Sequence, residues 1–188
     1  ANDQARTDAI AETVRHAFDL GRKVLVLTER TEHLDAIKAA ISGASSLLFV
    51  LHGRMSKKQR SILVEDLNAL PSDSPRILLA SGKLVGEGFD HPPLDTLVLA
   101  MPVSWKGTLQ QYAGRLHREH ADKTNVRIID FVDTGHPTLL RMWEKRQRGY
   151  KAMGYRIGKK MERAAYFLTL SHSVKEVAFL LGYCNQFY

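Results

Sequence analysis

The sequence predicts an α/β fold with a mainly parallel sheet covered by helices on both faces. Short, almost uninterrupted apolar runs rich in Val, Ile and Leu recur between Lys23 and Phe131, the pattern of strands buried on both faces. Stretches with helical spacing alternate with most of them, and the strand–helix–strand rhythm is that of a parallel sheet. Polar or glycine residues follow the runs, at Thr28, His52-Gly53, Ser81-Gly82 and Met101-Pro102. In such sheets ligands sit beyond the carboxyl ends of the strands.

Ile10, Val14, Ala17 and Phe18 share one face of a helix expected over residues 3–20, and Gly21 stops it. Lys23–Thr28 is the first strand. Leu34, Ile37 and Ile41 mark a second helix ending at Ser42-Gly43, and Leu47–Leu51 is the second strand. A third helix opens at Ser56, whose spacing to Gln59 is a capping box. It runs to about Leu70, and a loop from Pro71 to Pro75 leads into the strand Arg76–Ala80. A glycine-rich stretch, Ser81–Asp90, precedes a fourth strand, Leu94–Ala100. Thr108–Arg118 is a helix, opened by the capping-box spacing of Thr108 to Gln111, and Val126–Phe131 is the fifth strand. From His136 to Gly158 the pattern is helical and basic, with Trp143 and Tyr150 interleaved and a break at Gly158-Lys159-Lys160.

The 188 residues are 44% hydrophobic, enough for one domain with a core and an appendage. No apolar run is long enough to span a bilayer, and no signal pattern opens the chain, so no membrane partner is expected. Cys184 is the single cysteine. That excludes a disulfide framework or a cysteine-based zinc site and points to a reducing, cytoplasmic setting. The formal charge of +7 is concentrated: residues 141–163 carry nine basic side chains against Glu144 and Glu162. Such a segment suits nucleic acid or another polyanion.

The stretch Gln111-Tyr112-Ala113-Gly114-Arg115-Leu116-His117-Arg118 puts two guanidiniums three residues apart, on one face of a helix. Two rigid, permanently charged forks side by side suit the phosphates of a nucleotide. An ordinary surface helix would show the same pair, and what selects between the readings is order along the chain. A strand end with His52-Gly53 comes first, then the loop Gly86-Glu87-Gly88-Phe89-Asp90, then Gln-x-x-Gly-Arg-x-x-Arg, whose arginines are expected to face the same sheet edge as the strand ends.

With those residues in that order, the chain resembles the C-terminal RecA-like domain of superfamily 2 helicases of the DEAD/DEAH type. Lys23–Arg30 looks like motif IV, Ala80–Asp90 like motif V and Gln111–Arg118 like motif VI, and the resemblance covers residues 1–158. Gly86–Pro92 and Ser104–Gly107 look most like restriction-type members from conflict systems. The resemblance implies a RecA-like three-layer sandwich and an ATP-dependent helicase or translocase motor. In it, Arg118 would be the arginine finger with Arg115 beside it, and Gln111, Gly88 and Asp90 would meet the nucleotide. Thr28, Gly53, Arg54, Ser81 and Gly82 would touch the backbone of DNA or RNA, as a single strand or at a duplex junction. Motif V usually has Thr where this chain has Ser81, which keeps the hydroxyl.

ATP and Mg2+ are the implied cofactors. The 188 residues contain no Gly-x-x-x-x-Gly-Lys-Ser/Thr and no Asp-Glu dipeptide, so the resemblance implies that an N-terminal RecA-like domain holds them and that this chain alone is no ATPase. The alternative is a non-catalytic DNA-binding or regulatory module with the same fold. No metal site is expected: His117-x-x-His120 lacks a third ligand. Residues 159–188 are expected to form a separate helical tail. Arg163–Leu170 reads as one helix, and Ser173-Val174-Lys175-Glu176 as the cap of another with Val174, Val177, Ala178 and Leu181 on one face. The tail resembles a truncated helix-turn-helix of AraC-type regulators.

Overall fold

A computed structural model describes residues 4–43, 47–82, 85, 89–103, 109–118, 120, 123–133, 135–160 and 175–181. In chain order the elements are α1 (Gln4–Asp19), β1 (Lys23–Thr28), α2 (Thr31–Ile41), β2 (Leu48–Leu51), α3 (Lys57–Ala69) and β3 (Arg76–Ser81). After these come β4 (Thr96–Leu99), α4 (Gln110–Leu116), β5 (Val126–Val132), α5 (Pro137–Ala152), β6 (Arg156–Lys160) and β7 (Lys175–Leu181). The strands form one sheet in the order β2-β3-β1-β4-β5-β7-β6, and every pairing is parallel. No helix among the described residues is long and apolar enough to cross a membrane.

Alternation along the strands builds two cores. Val24, Val26, Ile77, Leu79, Val98 and Phe131 face α1 and α2, meeting Ile10, Val14, Leu34 and Ile37. Leu25, Leu27, Leu78, Leu97, Leu99 and Ile128 face the other way, toward Leu63 and Leu67 of α3, Tyr112 and Leu116 of α4, and Trp143 and Tyr150 of α5. Both faces of the sheet are thus buried, which is why its strands are apolar at consecutive positions. The three-layer α/β sandwich expected from the sequence is present.

Helix ends follow local chemistry. Ser56 accepts from the Gln59 amide at 3.2 Å while the Gln59 side chain accepts from the Ser56 amide at 2.8 Å, the expected capping box. Gly21, at φ 78°, ends α1. Its amide donates to the Phe18 carbonyl and that of Arg22 to Ala17, the two bonds of a Schellman motif. Gly154, at φ 83°, repeats the arrangement after α5, with Gly154 donating to Lys151 and Tyr155 to Tyr150. The helix read from His136 to Gly158 therefore stops at Ala152, and Gly158 lies inside β6.

The tail also differs where it is described. Lys175–Leu181 is a strand, not the helix expected from the Ser173 cap. Val177-Ala178-Phe179-Leu180-Leu181 is an uninterrupted apolar run, and periodicity alone does not separate helix from buried strand in such a run. Its pairing beside β5, in register from Val126↔Lys175 to Val132↔Leu181, supplies partners for backbone groups of β5 that an edge would leave open. The Arg163–Leu170 helix and the turn at Gly182-Tyr183 lie outside the described residues.

One fully buried ion pair ties the sheet to its helical cover. Asp130 of β5 accepts two hydrogen bonds from Arg146 of α5, at 2.7 and 3.0 Å, and one from the Tyr150 hydroxyl at 2.9 Å. Arg146 also donates to the Val103 carbonyl at 2.9 Å, and its guanidinium lies 5.6 Å from the Trp143 ring centroid. Burial and the Asp130 charge push the Tyr150 hydroxyl well above its ordinary pKa.

Candidate nucleotide and nucleic-acid interface

The carboxyl edge of the sheet has a topological switch point between β1 and β3. Thr28 and Ser81 are register partners at the ends of adjacent β1 and β3. Beyond Thr28 the chain turns into α2 on one face, whereas beyond Ser81 it passes Val85 and Phe89 in the opposite core. Connections that diverge from neighbouring strands leave a cleft where ligands bind in open α/β sheets.

The expected contact residues divide at this edge. Gly53 and Arg54, after β2, are exposed, and Ser81 is half-buried. Thr28 is only 1% exposed, and its hydroxyl is 3.2 Å from His33 Nδ1. Burial, with Arg6 and Arg30 nearby, lowers the His33 pKa and favours the neutral ring. The hydroxyl of Thr28 thus serves the fold. Gly82 is buried as well. A Cβ there would stand 2.8 Å from the Tyr112 hydroxyl, so close packing of α4 already accounts for glycine.

Helix α4 carries Arg115, with Arg118 two residues past its end, and bonds to carbonyls on both sides of the segment after β3. The Tyr112 hydroxyl donates to the Gly82 carbonyl, and Arg115 Nη1 donates to the Phe89 carbonyl. Tyr112 and Arg115 are three residues apart and share one helix face. Beyond the helix end, Arg118 Nε lies 3.5 Å from Asp90 Oδ1, with 58% of the arginine side chain and 37% of the aspartate exposed. Asp90 Oδ1 is itself buried and makes no hydrogen bond among the described residues. At 3.5 Å and this exposure the pair is loose, and a screened surface pair is worth little.

Lys123, unremarked in the sequence, closes the end of α4. Its ammonium donates to the carbonyls of Leu116 and Arg118 at 2.9 and 2.8 Å, occupying acceptors that a helix terminus leaves open. Burial brings its pKa down to about 8, against the pull of Asp95 and Asp90.

The arginines do not stand at the carboxyl edge beside Ser81. Helix α4 runs back toward the amino edge, about 6 Å from Tyr112 to Leu116 at 1.5 Å per residue, and Arg118 follows its end. The neighbour of Asp90 marks that end: His91 Nε2 is 3.0 Å from Nη1 of Arg76, the first residue of β3, and His91 Nδ1 is 3.0 Å from the Asn68 side chain. The expectation that strand ends and arginines face one edge is therefore corrected. There are two regions, one at the strand ends and one at Arg118 and Asp90. Gln111 is exposed on α4, whose first residue is Gln110 with no side-chain cap. Gly88 lies outside the described residues, as do Gly86, Glu87, Thr108 and the Ser104–Gly107 segment.

Comparison with known proteins gives a consistent result. The model of the helicase conserved C-terminal domain matches residues 7–120. The chain is 24% identical over 154 residues to a putative ATP-dependent RNA helicase, L396, of Acanthamoeba polyphaga mimivirus, covering 82% of this chain and 28% of that protein. It is 25% identical over 160 residues to the probable helicase D10 of Escherichia phage T5, covering 83% and 35%. It thus spans about a third of the length of these relatives. The T4 UvsW crystal structure superposes with a TM-score of 0.65 at 20% identity, over 95% of this chain and 35% of that one. The C-terminal part of the Fun30 ATPase domain follows at 0.57 and 17%, over 67% and 40%. With its RecA-like sheet and a family match over most of its length, this chain belongs to the helicase conserved C-terminal domain family.

Proposed function

We propose that the chain is the second motor domain of an ATP-dependent helicase or translocase, supplying an arginine finger and one wall of a nucleic-acid groove. The observation that carries this reading is the pair of hydrogen bonds from α4 to the Gly82 and Phe89 carbonyls. One helix holds Gly82 and Phe89, and past its end an exposed Arg118 lies beside Asp90. The residues fit a bound nucleotide: Arg118 has a solvent-facing guanidinium held only loosely by Asp90. ATP with Mg2+, held mainly by an N-terminal RecA-like domain, supplies the phosphoryl group that is transferred to water.

In this reading Arg118 donates to the γ-phosphate oxygens and stabilises the charge that spreads over them, which for an arginine finger is worth ~10³-fold or more in rate. Arg115 holds the Phe89 carbonyl and so the neighbouring Asp90; Asp90 and Gly88 would meet the ribose, and Gln111 would orient the phosphates. At the carboxyl edge Arg54, Gly53, Ser81 and the Gly82 backbone take the phosphodiester chain of DNA or RNA without reading sequence. Thr28 acts from beneath, by fixing the end of β1. A shift of α4 toward the nucleotide would pull on both ends of the loop and so reach the groove.

The test is nucleic-acid-stimulated ATP hydrolysis by this chain combined with its matching N-terminal domain. Arg118→Ala should lower the turnover ~10³-fold with little change in nucleic-acid affinity. Equal turnover in the two proteins would sink the motor reading and favour a non-catalytic DNA-binding module, for which the net charge of +7 is the supporting observation.

A further inference from the structure

The basic residues of α5 take no part in the groove or the nucleotide site. The helix buries Trp143, Arg146, Gly149 and Tyr150, and on its opposite side Arg141, Lys145 and Arg148 are all exposed. Their i, i+4, i+7 spacing places them in one stripe about 10 Å long. Lys151 and, after the turn, Arg156 extend the exposed cations toward the amino edge. Against these stands one exposed carboxylate on the helix, Glu144.

Stability of the helix does not explain the stripe. Cations are favourable near a helix C-terminus and unfavourable near its N-terminus, yet Arg141 lies in the first half and the first turn has no acidic residue. Arg141 reaches only the Thr138 hydroxyl, at 3.2 Å. The ion pairs among the described residues leave Arg141, Lys145, Arg148 and Lys151 without a carboxylate. Position supplies the second argument. Helix α5 begins at Pro137, just past the carboxyl end of β5, and β5 is two strands from β1, about 10 Å at the spacing of paired strands. A nucleic-acid strand leaving the Thr28–Ser81 switch point along this edge meets the start of the stripe within a few nucleotides.

We propose that Arg141, Lys145 and Arg148 form an exit track that binds the phosphates of a single nucleic-acid strand after it leaves the groove. The proposal rests on the groove reading given above. Recognition is electrostatic and independent of sequence, and it lengthens the contacted strand without touching the nucleotide site.

The test is fluorescence anisotropy of a labelled oligothymidylate of about 20 nucleotides, longer than a single small binding site, titrated over a range of salt. The triple variant Arg141→Gln/Lys145→Gln/Arg148→Gln changes only exposed side chains, and circular dichroism checks its fold. It should bind roughly tenfold more weakly, with the slope of log affinity against log salt shallower by about 2, as for three lost single-strand phosphate contacts. Arg54→Ala, in the groove, should weaken binding separately, and polyglutamate of similar length should compete poorly. An unchanged affinity and slope in the triple variant, with Arg54→Ala still weakened, overturns the track and leaves the groove reading standing. The converse result, loss in the triple variant with Arg54→Ala unchanged, removes the groove reading and overturns the exit track with it, leaving the stripe as a primary binding site. Polyglutamate binding as tightly as the oligonucleotide, and lost in the triple variant, would make the stripe a site for acidic protein and overturn the proposal.

Discussion

At the scale of single residues, the chemistry of the site is set by what each polar group is already doing for the fold. Arg115 and Arg118 look equivalent in the sequence but are not. Arg115 is committed to the Phe89 carbonyl, whereas among the described residues the Arg118 side chain meets the loose Asp90 carboxylate. Arg118→Ala should therefore leave the urea midpoint of the isolated chain unchanged within error, while Arg115→Ala should lower it. His91 gives a pH dependence of stability. Burial, and then the Arg76 charge, bring its pKa from 6.5 down to about 4, so the folded protein resists a proton that the unfolded chain accepts. Stability is full above pH 6.5 and declines as the pH falls toward 4, by up to about 3 kcal/mol. Urea unfolding across that window should show the decline. His91→Gln, which retains a donor toward Asn68 and an acceptor toward Arg76, should flatten it.

At the scale of elements, short local signals place the ends of helices and a few long-range bonds place the helices themselves. Gly154 sits at φ 83°, a conformation that costs a side chain roughly 1 kcal/mol. Gly154→Ala should therefore destabilise the chain by about that amount in urea denaturation, with space for the new methyl not at issue. The grip of α4 on the loop is the functional counterpart. Tyr112→Phe removes the donor to a buried carbonyl, and the unsatisfied group costs about 1–3 kcal/mol. The expected readout is faster amide hydrogen exchange in the loop after β3, with β1 and β2 unaffected. Equal exchange in the variant would mean that the loop is held by its own contacts.

For the molecule as a whole, the buried Asp130–Arg146 pair joins the last core strand to the helix that closes the sandwich, and through Val103 to the segment after β4. Removing one partner strands the other charge in the core, at a cost of about 3–5 kcal/mol. Asp130→Asn should show a loss of that order in urea or thermal unfolding, much larger than Arg118→Ala. Replacing both partners with apolar residues of similar volume should recover part of it. The same helix turns its cationic stripe outward, so the ion pair fixes the orientation of the proposed track.

The residue string by itself determined the strands β1 to β5, the layers and the order of the motifs, because short apolar runs rich in β-branched residues alternate there with stretches of helical spacing. Capping chemistry, as at Ser56-Gln59 and Gly21, is local and was equally readable. What only the tertiary structure decided is where each piece is used. An apolar run such as Val177–Leu181 suits helix or strand, and the open flank of β5 selected the strand. Gly154 ended α5 earlier than the spacing of apolar residues indicated, because the left-handed turn needed a glycine there. Thr28 and Gly82 carry residue types that suit phosphate contact, yet one hydroxyl faces His33 and the other position is filled by Tyr112. The two arginines moved from the carboxyl edge to the Asp90 end because α4 runs antiparallel to the strands. A pattern in sequence records which side chains share a face; which neighbour that face meets depends on strand order and helix direction, and those are set by the packing of the whole sheet.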